Sequence, residues 1–179
     1  MYATNANSQS IASRKRITDA LLSLLEKHPY NEITITQICQ EAQIVRQTYY
    51  RNFSQKDDIL RLHVTNLLKG YYDKYYVPED APTRLVNLFT YMLLNKTFLL
   101  QVSKNKLFFA IEEGISQNIT RFFPFEYTSE IGEMKFQRYV IGFISATICS
   151  LLSLWVENNF KETPEELSSL AQKFMGGLE

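Results

Sequence analysis

Apolar residues recur three and four positions apart along almost the whole chain, and no run alternates convincingly with a period of two. Near the start, for example, Ile17, Leu21 and Leu24 would lie on one face of a helix. A half-buried strand requires alternation, whereas this spacing is that of an amphipathic helix. The pattern therefore predicts an all-α fold of about nine helices.

Capping and helix-breaking residues predict where several helices begin and end. Thr34 or Thr36 can cap the second helix, Ser54 the fourth, and Pro164 suits the first turn of the last. The predicted helices run over about residues 8–28, 34–42, 46–53, 55–76, 83–123 in several pieces, 129–160 and 164 onward. Predicted breaks lie at residues 77–83, which contain two prolines, and at residues 123–130.

The composition fits a folded cytoplasmic protein. An apolar fraction of 45% is too high for a disordered chain. The two cysteines, Cys39 and Cys149, fall in apolar helical patterns, which predicts buried thiols rather than a disulfide. The polar N-terminal stretch lacks the apolar core of a signal peptide. We therefore expect a cytoplasmic location.

The sequence gives no support for enzyme chemistry or metal binding. Of its two histidines, His28 precedes a proline and His63 lies on an apolar helix stripe, where a structural role is expected. There is no glycine-rich phosphate loop, no Cys/His metal spacing and no nucleophile beside a base. We expect no enzymatic activity, no metal and no cofactor.

The formal net charge of zero conceals an asymmetry along the chain. Residues 1–56 carry seven basic and four acidic residues, a net charge of +3, and the remainder therefore carries −3. A basic N-terminal third followed by an acidic remainder favours a nucleic-acid-binding domain joined to a second domain.

Residues 33–53 have the pattern of a helix-turn-helix motif. Its second helix can pack on the first through Ile44, Tyr49 and Phe53. Polar side chains crowd its other face, where a major groove would meet them. They are Arg46, Gln47, Tyr50 and Arg51. An ordinary solvated helix face is the alternative interpretation of this crowding.

Residues 33–60, ITITQICQEAQIVRQTYYRNFSQKDDIL, resemble the helix-turn-helix of the TetR/AcrR family of transcriptional regulators. The likeness lies in the threonine-led first helix, the central EA and the T-aromatic-Tyr-x-x-Phe-x-x-Lys run. RKRITDALLSLL extends it backwards, so it covers about residues 8–68. It implies a DNA-binding domain over residues 8–68 and a helical regulatory and dimerisation domain over residues 69–179.

The resemblance also implies roles for individual residues of the motif. Contacts with DNA phosphates are implied for Thr34, Tyr50 and Lys56. Base-edge or groove contacts are implied for Thr36, Arg46, Gln47 and Thr48, with Asn52 near the DNA backbone. Two positions depart from the family pattern: the usual glycine of the turn is Gln43, and the usual hydroxyl residue before the second helix is Val45. We expect either backbone strain at Gln43 or a slightly different turn. At Val45 we expect the loss of a hydroxyl cap and of the phosphate contact that such a residue would make.

The segment Tyr139–Val156 has 18 residues without a charge, long enough for a membrane span. Because serine, threonine and glycine are spread through it, we interpret it as a helix with one face in the core and the other at a subunit contact. The same polar residues argue against a membrane span. The family resemblance implies dimerisation through residues 129–160 and 164–177.

Aromatic residues of the C-terminal part could line a chamber for a small apolar or amphipathic effector, as in many members of the family, or simply fill the core. They are Tyr91, Phe98, Phe108, Phe109, Phe122, Phe123 and Trp155. The resemblance as a whole implies a ligand-responsive repressor that binds a pseudo-palindromic operator as a homodimer. The alternative is a dimeric helical interaction protein or co-regulator that kept the fold without operator binding.

Overall fold

A computed structural model describes residues 2–75, 81–122 and 134–176, and every regular element in these ranges is helical. It contains nine α-helices and one 3-10 turn, Tyr30–Glu32, so the predicted all-α class and helix number are confirmed for the described residues. The helices are α1 Tyr2–Lys27, α2 Ile35–Glu41, α3 Arg46–Asn52, α4 Lys56–Tyr75, α5 Ala81–Leu94, α6 Lys96–Lys104, α7 Phe108–Phe122, α8 Met134–Glu157 and α9 Pro164–Gly176.

Most predicted helix ends agree with the structure within a few residues. Thr34 caps α2, and α9 begins at Pro164 with two glutamates in its first turn. α1 begins six residues before the predicted start at Ser8. The predicted breaks at residues 77–83 and 123–130 fall mostly or entirely outside the described residues, although Pro82 lies in the first turn of α5.

The predicted cap of α4 is wrong. Ser54 does not cap this helix through its hydroxyl; instead the carboxylate of Asp58 accepts the backbone N–H groups of Ser54 and Gln55, each at 3.0 Å. Burial on its own would raise the pKa of Asp58, but these two hydrogen bonds, a third from the Gln55 side chain and the charge of Arg61 together hold the pKa below its usual range. A carboxylate in the first turn of α4 therefore accepts hydrogen bonds from the two backbone amides that precede the helix.

The chain divides into two compact units, residues 1–63 and 64–179, and the division falls within α4. The boundary implied by the family resemblance, between residues 68 and 69, falls within the same helix. Each unit has its own apolar core. The first contains Ile17, Leu21, Leu25, Ile38, Tyr49, Ile59 and Leu60, and the second contains Tyr71, Leu85, Phe89, Met92, Leu99, Ile111, Leu152 and Trp155.

Within the second unit, α5 lies against α9, and α7 lies against α8. α7 also comes close to α4 at Gly114, where an added Cβ would be 2.4 Å from Cγ1 of Val64. Both cysteines are free and buried, as predicted. Burial raises the pKa of the Cys149 thiol to about 12, and its sulfur lies 3.5 Å from the carbonyl oxygen of Phe108.

α8 has one buried and one exposed face, as expected for the uncharged segment. Ile148, Leu152 and Trp155 are buried, whereas Phe143 and Leu154 are exposed, Leu154 by 60%. By length and composition alone, residues 138–157 could cross a membrane, and 44% of the most apolar window is buried in the protein. The helices α5 and α6, bent by 78°, pass the same test when taken together.

Candidate DNA-binding interface

A capping box defines the start of α2. The hydroxyl of Thr34 accepts the backbone N–H of Gln37 at 3.2 Å, and the Gln37 side chain accepts the backbone N–H of Thr34 at 2.8 Å. Two amides at the helix start are thus satisfied by side chains. Thr34 remains on the exposed surface at the N-terminal end of this helix.

The turn between α2 and α3 requires a left-handed residue, and Gln43 occupies that position with φ 53°. The expected backbone strain is therefore confirmed, since only glycine adopts this conformation without a steric cost. A residue of α1 holds the turn from outside. The guanidinium of Arg16 donates from Nη2 to the carbonyl oxygens of both Ala42 and Gln43, the latter at 2.7 Å.

The start of α3 has no side-chain cap. Val45 occupies the N-cap position with extended backbone geometry and no side-chain hydrogen bond, and its side chain is 66% exposed. The expected loss of a hydroxyl cap is confirmed. The backbone N–H groups in the first turn of α3 therefore receive no hydrogen bond from the side chain at the N-cap position.

Tyr49 and Phe53 attach α3 to the core, as the sequence predicts. Both are buried, and their ring centroids are 6.1 Å apart. The Tyr49 hydroxyl is buried without a hydrogen-bond partner among the described residues. Burial, and secondarily the charge of Asp58, raise the pKa of Tyr49 to about 12.

The opposite face of α3 is open to solvent. Gln47, Tyr50 and Arg51 are exposed, Tyr50 by 56%, and Thr48 is half-buried. Arg46 is also exposed, but its Nη2 donates to the hydroxyl of Thr36 on α2 at 2.6 Å. The structure thus brings Arg46 and Thr36 together and leaves Gln47, Tyr50 and Arg51 facing outward.

Lys56 lies at the first position of α4 and is hydrogen-bonded inside the protein. Its ammonium donates to the carbonyl oxygens of Tyr30 and Ile33, each at 2.6 Å, and lies 4.4 Å from the centroid of the Tyr30 ring. The Tyr30 hydroxyl in turn donates to the Asp57 carboxylate. Burial lowers the pKa of Lys56, with Asp57 opposing that effect. Two of the three ammonium donors therefore hold the 3-10 turn against the start of α4.

Asn52 connects the end of α3 to α1. Its Oδ1 accepts the Ser10 hydroxyl at 2.8 Å, and its Nδ2 donates to the carbonyl oxygen of Thr48, also at 2.8 Å. This amide has both its polar ends engaged within the protein.

Sequence reasoning missed a cleft beside the C-terminal end of α3. The cleft has a volume of about 360 Å³ and contains Arg14, Tyr50, Arg51 and Ser54 among its lining residues. Arg51 belongs to the polar face that the sequence predicts for α3, but the family resemblance implies no DNA contact for Arg51 or for Arg14. No local pattern in the sequence places Arg14 near Arg51, because their proximity depends on how α1 packs beside α3.

The aromatic residues considered for an effector chamber fall in different clusters. Tyr91 lies against Tyr71 and Tyr75, with centroids 5.9 and 5.1 Å away. Trp155 lies against Phe89 and Phe160, and its indole N–H donates to the carbonyl oxygen of Glu162 at 2.9 Å.

The remaining chamber candidates differ in exposure. Phe98 and Phe108 are half-buried, whereas Phe109 is 40% exposed. Phe123 lies outside the described residues, and Phe122 ends α7. Among described residues, no group of three or more His, Cys, Asp or Glu side chains could hold a metal ion.

Comparison with known proteins finds two family models that together cover most of the chain. Residues 17–62 match the model for bacterial regulatory proteins of the tetR family, and residues 79–177 match a transcriptional regulator C-terminal region. A curated relative is the HTH-type dhaKLM operon transcriptional activator DhaS of Lactococcus lactis subsp. lactis (strain IL1403). The two are 35% identical over 52 residues, and the match spans 29% of this chain and 28% of that protein.

Solved structures show the same fold over nearly the whole chain. A TetR transcriptional regulator from Streptococcus agalactiae 2603V has a TM-score of 0.67 at 16% identity, covering 96% of this chain and 98% of its own. The fatty acid degradation regulator FadR from Bacillus halodurans has a TM-score of 0.51 at 17% identity, covering 93% and 96%. The dihydroxyacetone kinase operon activator DhaS has a TM-score of 0.50 at 18% identity, covering 94% and 96%.

Proposed function

Because the chain belongs to the tetR family of bacterial transcriptional regulators, we propose that it binds a pseudo-palindromic DNA operator as a homodimer and represses transcription until a small effector releases it. The family is one of regulators and not of enzymes, which agrees with the absence of an enzyme motif in the sequence. We assign the DNA-binding domain to residues 8–68 and the regulatory and dimerisation domain to residues 69–179.

The exposed face of α3 carries the proposal. Two buried aromatic rings fix this helix to the core, so its outward side chains keep a defined position. A major groove admits one α-helix and offers acceptors to arginine and both donors and acceptors to glutamine. We therefore propose base-edge or groove contacts for Thr36, Arg46, Gln47 and Thr48, backbone proximity for Asn52, and phosphate contacts for Thr34, Tyr50 and Lys56.

Dimer formation is proposed through the exposed faces of α8 and α9. Apolar side chains that a monomer would leave in water project from both helices: Tyr139, Phe143, Leu154, Leu170 and Phe174. Between them α8 exposes small residues, including Gly142, where an added Cβ would meet nothing within 4 Å. Such a surface suits close approach of the same two helices from a second copy.

Selection of bound duplexes from a random pool, followed by sedimentation, tests the proposal directly. We expect a dimer bound to a duplex with two half-sites about one helical turn apart. Arg46→Ala should weaken binding by roughly 1–3 kcal/mol and relax base preference at one position of each half-site. Arg46→Lys, which keeps the charge but loses the planar fork, is the matched control. A chain that stays monomeric at micromolar concentration and ignores DNA would refute the proposal.

Effector control is proposed from the aromatic residues of α5–α7 and α8. Tyr91, Phe98, Phe108, Phe109 and Trp155 are the proposed lining residues. α4 belongs to both compact units, so a ligand that binds one conformation better can act on the DNA-binding domain through it. Trp155 is the single tryptophan, so its fluorescence reports ligand binding without labelling. The idea fails if no compound in a broad apolar library changes both the fluorescence and the DNA affinity.

Transcription in vitro from the selected operator tests the direction of regulation. We expect lower transcription with the protein bound and recovery with the effector. DhaS, the curated relative, is named an activator. Increased transcription would therefore correct the proposal from repression to activation without affecting operator binding.

The co-regulator alternative is favoured by two observations at the motif. Gln43 adopts a left-handed conformation in the turn, and Lys56 directs two donors into the protein. A protein that dimerises but binds every duplex as weakly as a scrambled one would establish this alternative.

A further inference from the structure

The cations that the sequence assigns to DNA contacts are hydrogen-bonded within the protein. Arg46 donates to Thr36, and Lys56 donates to two backbone carbonyl oxygens. A base contact by Arg46 or a phosphate contact by Lys56 would compete with these bonds. The electrostatic part of DNA affinity depends on basic groups free to meet phosphates.

Two other arginines of the first unit are free, Arg51 within α3 and Arg14 on the neighbouring helix α1. Arg14 and Arg51 are exposed and form no hydrogen bond or ion pair with any described residue, while both line the 360 Å³ cleft. Their convergence follows from α1 packing beside α3. Ser10, one turn before Arg14, donates to Asn52, the neighbour of Arg51.

The other polar groups of the cleft favour an anion. The exposed side chains of Tyr50 and Ser54 lie on its wall and can donate hydrogen bonds. Asp58 also lines the cleft, but its carboxylate accepts the backbone N–H groups of Ser54 and Gln55 and lies 3.4 Å from Arg61. The negative charge of Asp58 is thus compensated by groups of its own helix start, whereas the two guanidinium groups are not.

We propose that this cleft binds a DNA phosphodiester, with the guanidinium groups of Arg14 and Arg51 donating to its non-bridging oxygens. The inference rests on the proposed DNA-binding function. Gln47 lies one turn before Arg51 on the same side of α3, so a phosphate held in the cleft adjoins the bases that Gln47 would meet. Guanidinium groups bind phosphates through paired, charge-assisted hydrogen bonds, which fix the position of the helix on the duplex.

The salt dependence of DNA binding distinguishes residues that bind DNA phosphates from residues that contact the bases. The variants are Arg14→Gln, Arg51→Gln and the double variant, with Lys27→Gln as a control that removes an equal charge from an exposed position outside the cleft. Affinity for the selected duplex and for a scrambled duplex is measured at a series of salt concentrations. We expect each cleft variant to reduce the slope of log affinity against log salt by about one, and the double variant by about two.

The outcomes distinguish this inference from the proposed function. Equal loss of affinity for the selected and scrambled duplexes, with the Lys27→Gln slope unchanged, supports the phosphate site. If wild-type protein binds no duplex, the proposed function fails. If it binds and the cleft variants behave like Lys27→Gln, only the cleft inference fails.

Two further measurements make the result unambiguous. A change of base preference in Arg51→Gln would make Arg51 a base reader and overturn its role as an anchor. Arg14→Lys should retain the wild-type salt slope, and its failure to do so while remaining folded by circular dichroism would contradict a charge-based role. If inorganic phosphate titrates into the cleft of wild type but the cleft variants bind DNA normally, the site takes a free anion instead.

Discussion

Gln43 and Arg16 show how a single residue and its partner set the geometry of the motif. A non-glycine residue in the left-handed region costs roughly 1–2 kcal/mol, because its Cβ crowds the backbone. Two carbonyl oxygens of this strained turn accept hydrogen bonds from the Arg16 guanidinium. The cation also lies at the C-terminal end of α2, where a positive charge is favourable. Arg16 therefore offsets part of the strain at Gln43.

Gln43→Gly should stabilise the protein by about 1 kcal/mol, because glycine adopts the same φ without strain. Arg16→Gln should destabilise the protein. The loss should be smaller in the Gln43→Gly background, because an unstrained turn depends less on the hydrogen bonds from Arg16. Urea denaturation of the four proteins measures this coupling. Gln40→Gly, inside α2, is the control and should destabilise by roughly 1 kcal/mol. Additive effects of the two substitutions would show that Arg16 does not support the turn.

At the scale of helices, two glycines differ in what surrounds them. A Cβ at Gly114 on α7 would lie 2.4 Å from Cγ1 of Val64 and 3.2 Å from Cδ1 of Leu68. A Cβ at Gly70 on α4 would meet only the end of the Tyr91 side chain, with its hydroxyl oxygen at 2.6 Å. A β-branched valine in a helix has almost one rotamer, whereas a tyrosine ring can shift its far end. Gly114 is therefore required for the approach of α7 to α4.

Gly114→Ala should lower the free energy of unfolding by roughly 1–3 kcal/mol, because overpacking outweighs the better helix propensity of alanine. Gly70→Ala should be neutral or slightly stabilising, since that propensity gain meets only a movable side chain. Chemical denaturation of both variants provides the comparison. Val64→Ala combined with Gly114→Ala should recover part of the loss. Equal effects of the two glycine substitutions would contradict this account of the helix contact.

The exposed face of α8 carries a prediction about association. Ser150 is exposed on this face, between the exposed residues Phe143 and Leu154. Ser150→Asp should weaken the dimer by roughly ten-fold or more, because an unpaired charge would be buried at the contact. Asn66→Asp, an added charge on the exposed side of α4, should leave association unchanged. Sedimentation equilibrium measures the dimer dissociation constant of each variant. Equal dissociation constants would place the subunit contact on another surface.

At the scale of the whole molecule, buried titratable groups in both units limit the pH range of stability. In the first unit, burial lowers the pKa of His63 below 6.5, opposed by Asp19, and raises the pKa of Tyr49 from 10.0 to about 12. In the second unit, burial raises the pKa of Cys149 from 9.0 to about 12. All three groups therefore favour their neutral forms in the folded protein.

Stability should be greatest between about pH 7 and 9 and fall on both sides. The His63 contribution is present above pH 6.5 and is lost as pH falls toward its lower folded pKa. The thiol contribution is present below pH 9, that of Tyr49 below pH 10, and both are lost as pH rises toward about 12. Urea denaturation across this range measures the profile. His63→Gln should flatten only the acidic side and Cys149→Ala only the alkaline side; unchanged slopes in these variants would refute the assignment.

The sequence by itself determined what depends on neighbours within one helical turn. Spacings of three and four indicated the helices, a cap at Thr34 or Thr36 indicated the start of α2, and Pro164 indicated the start of α9. The strain at Gln43 and the missing cap at Val45 were predictable only because the family resemblance indicated where a glycine and a hydroxyl residue are usual. Buried Tyr49 and Phe53 followed from the same periodicity.

Only the tertiary structure decided which polar groups meet. Arg16 reaches carbonyl oxygens 26 and 27 positions away, Lys56 reaches carbonyls 26 and 23 positions away, and Ser10 bonds an amide 42 positions away. Such pairs depend on how helices cross, which the burial of apolar faces sets and no local pattern encodes. The cleft that joins Arg14 to Arg51 arises in the same way. A residue's type therefore indicated what it can bind, and helix packing determined what it does bind.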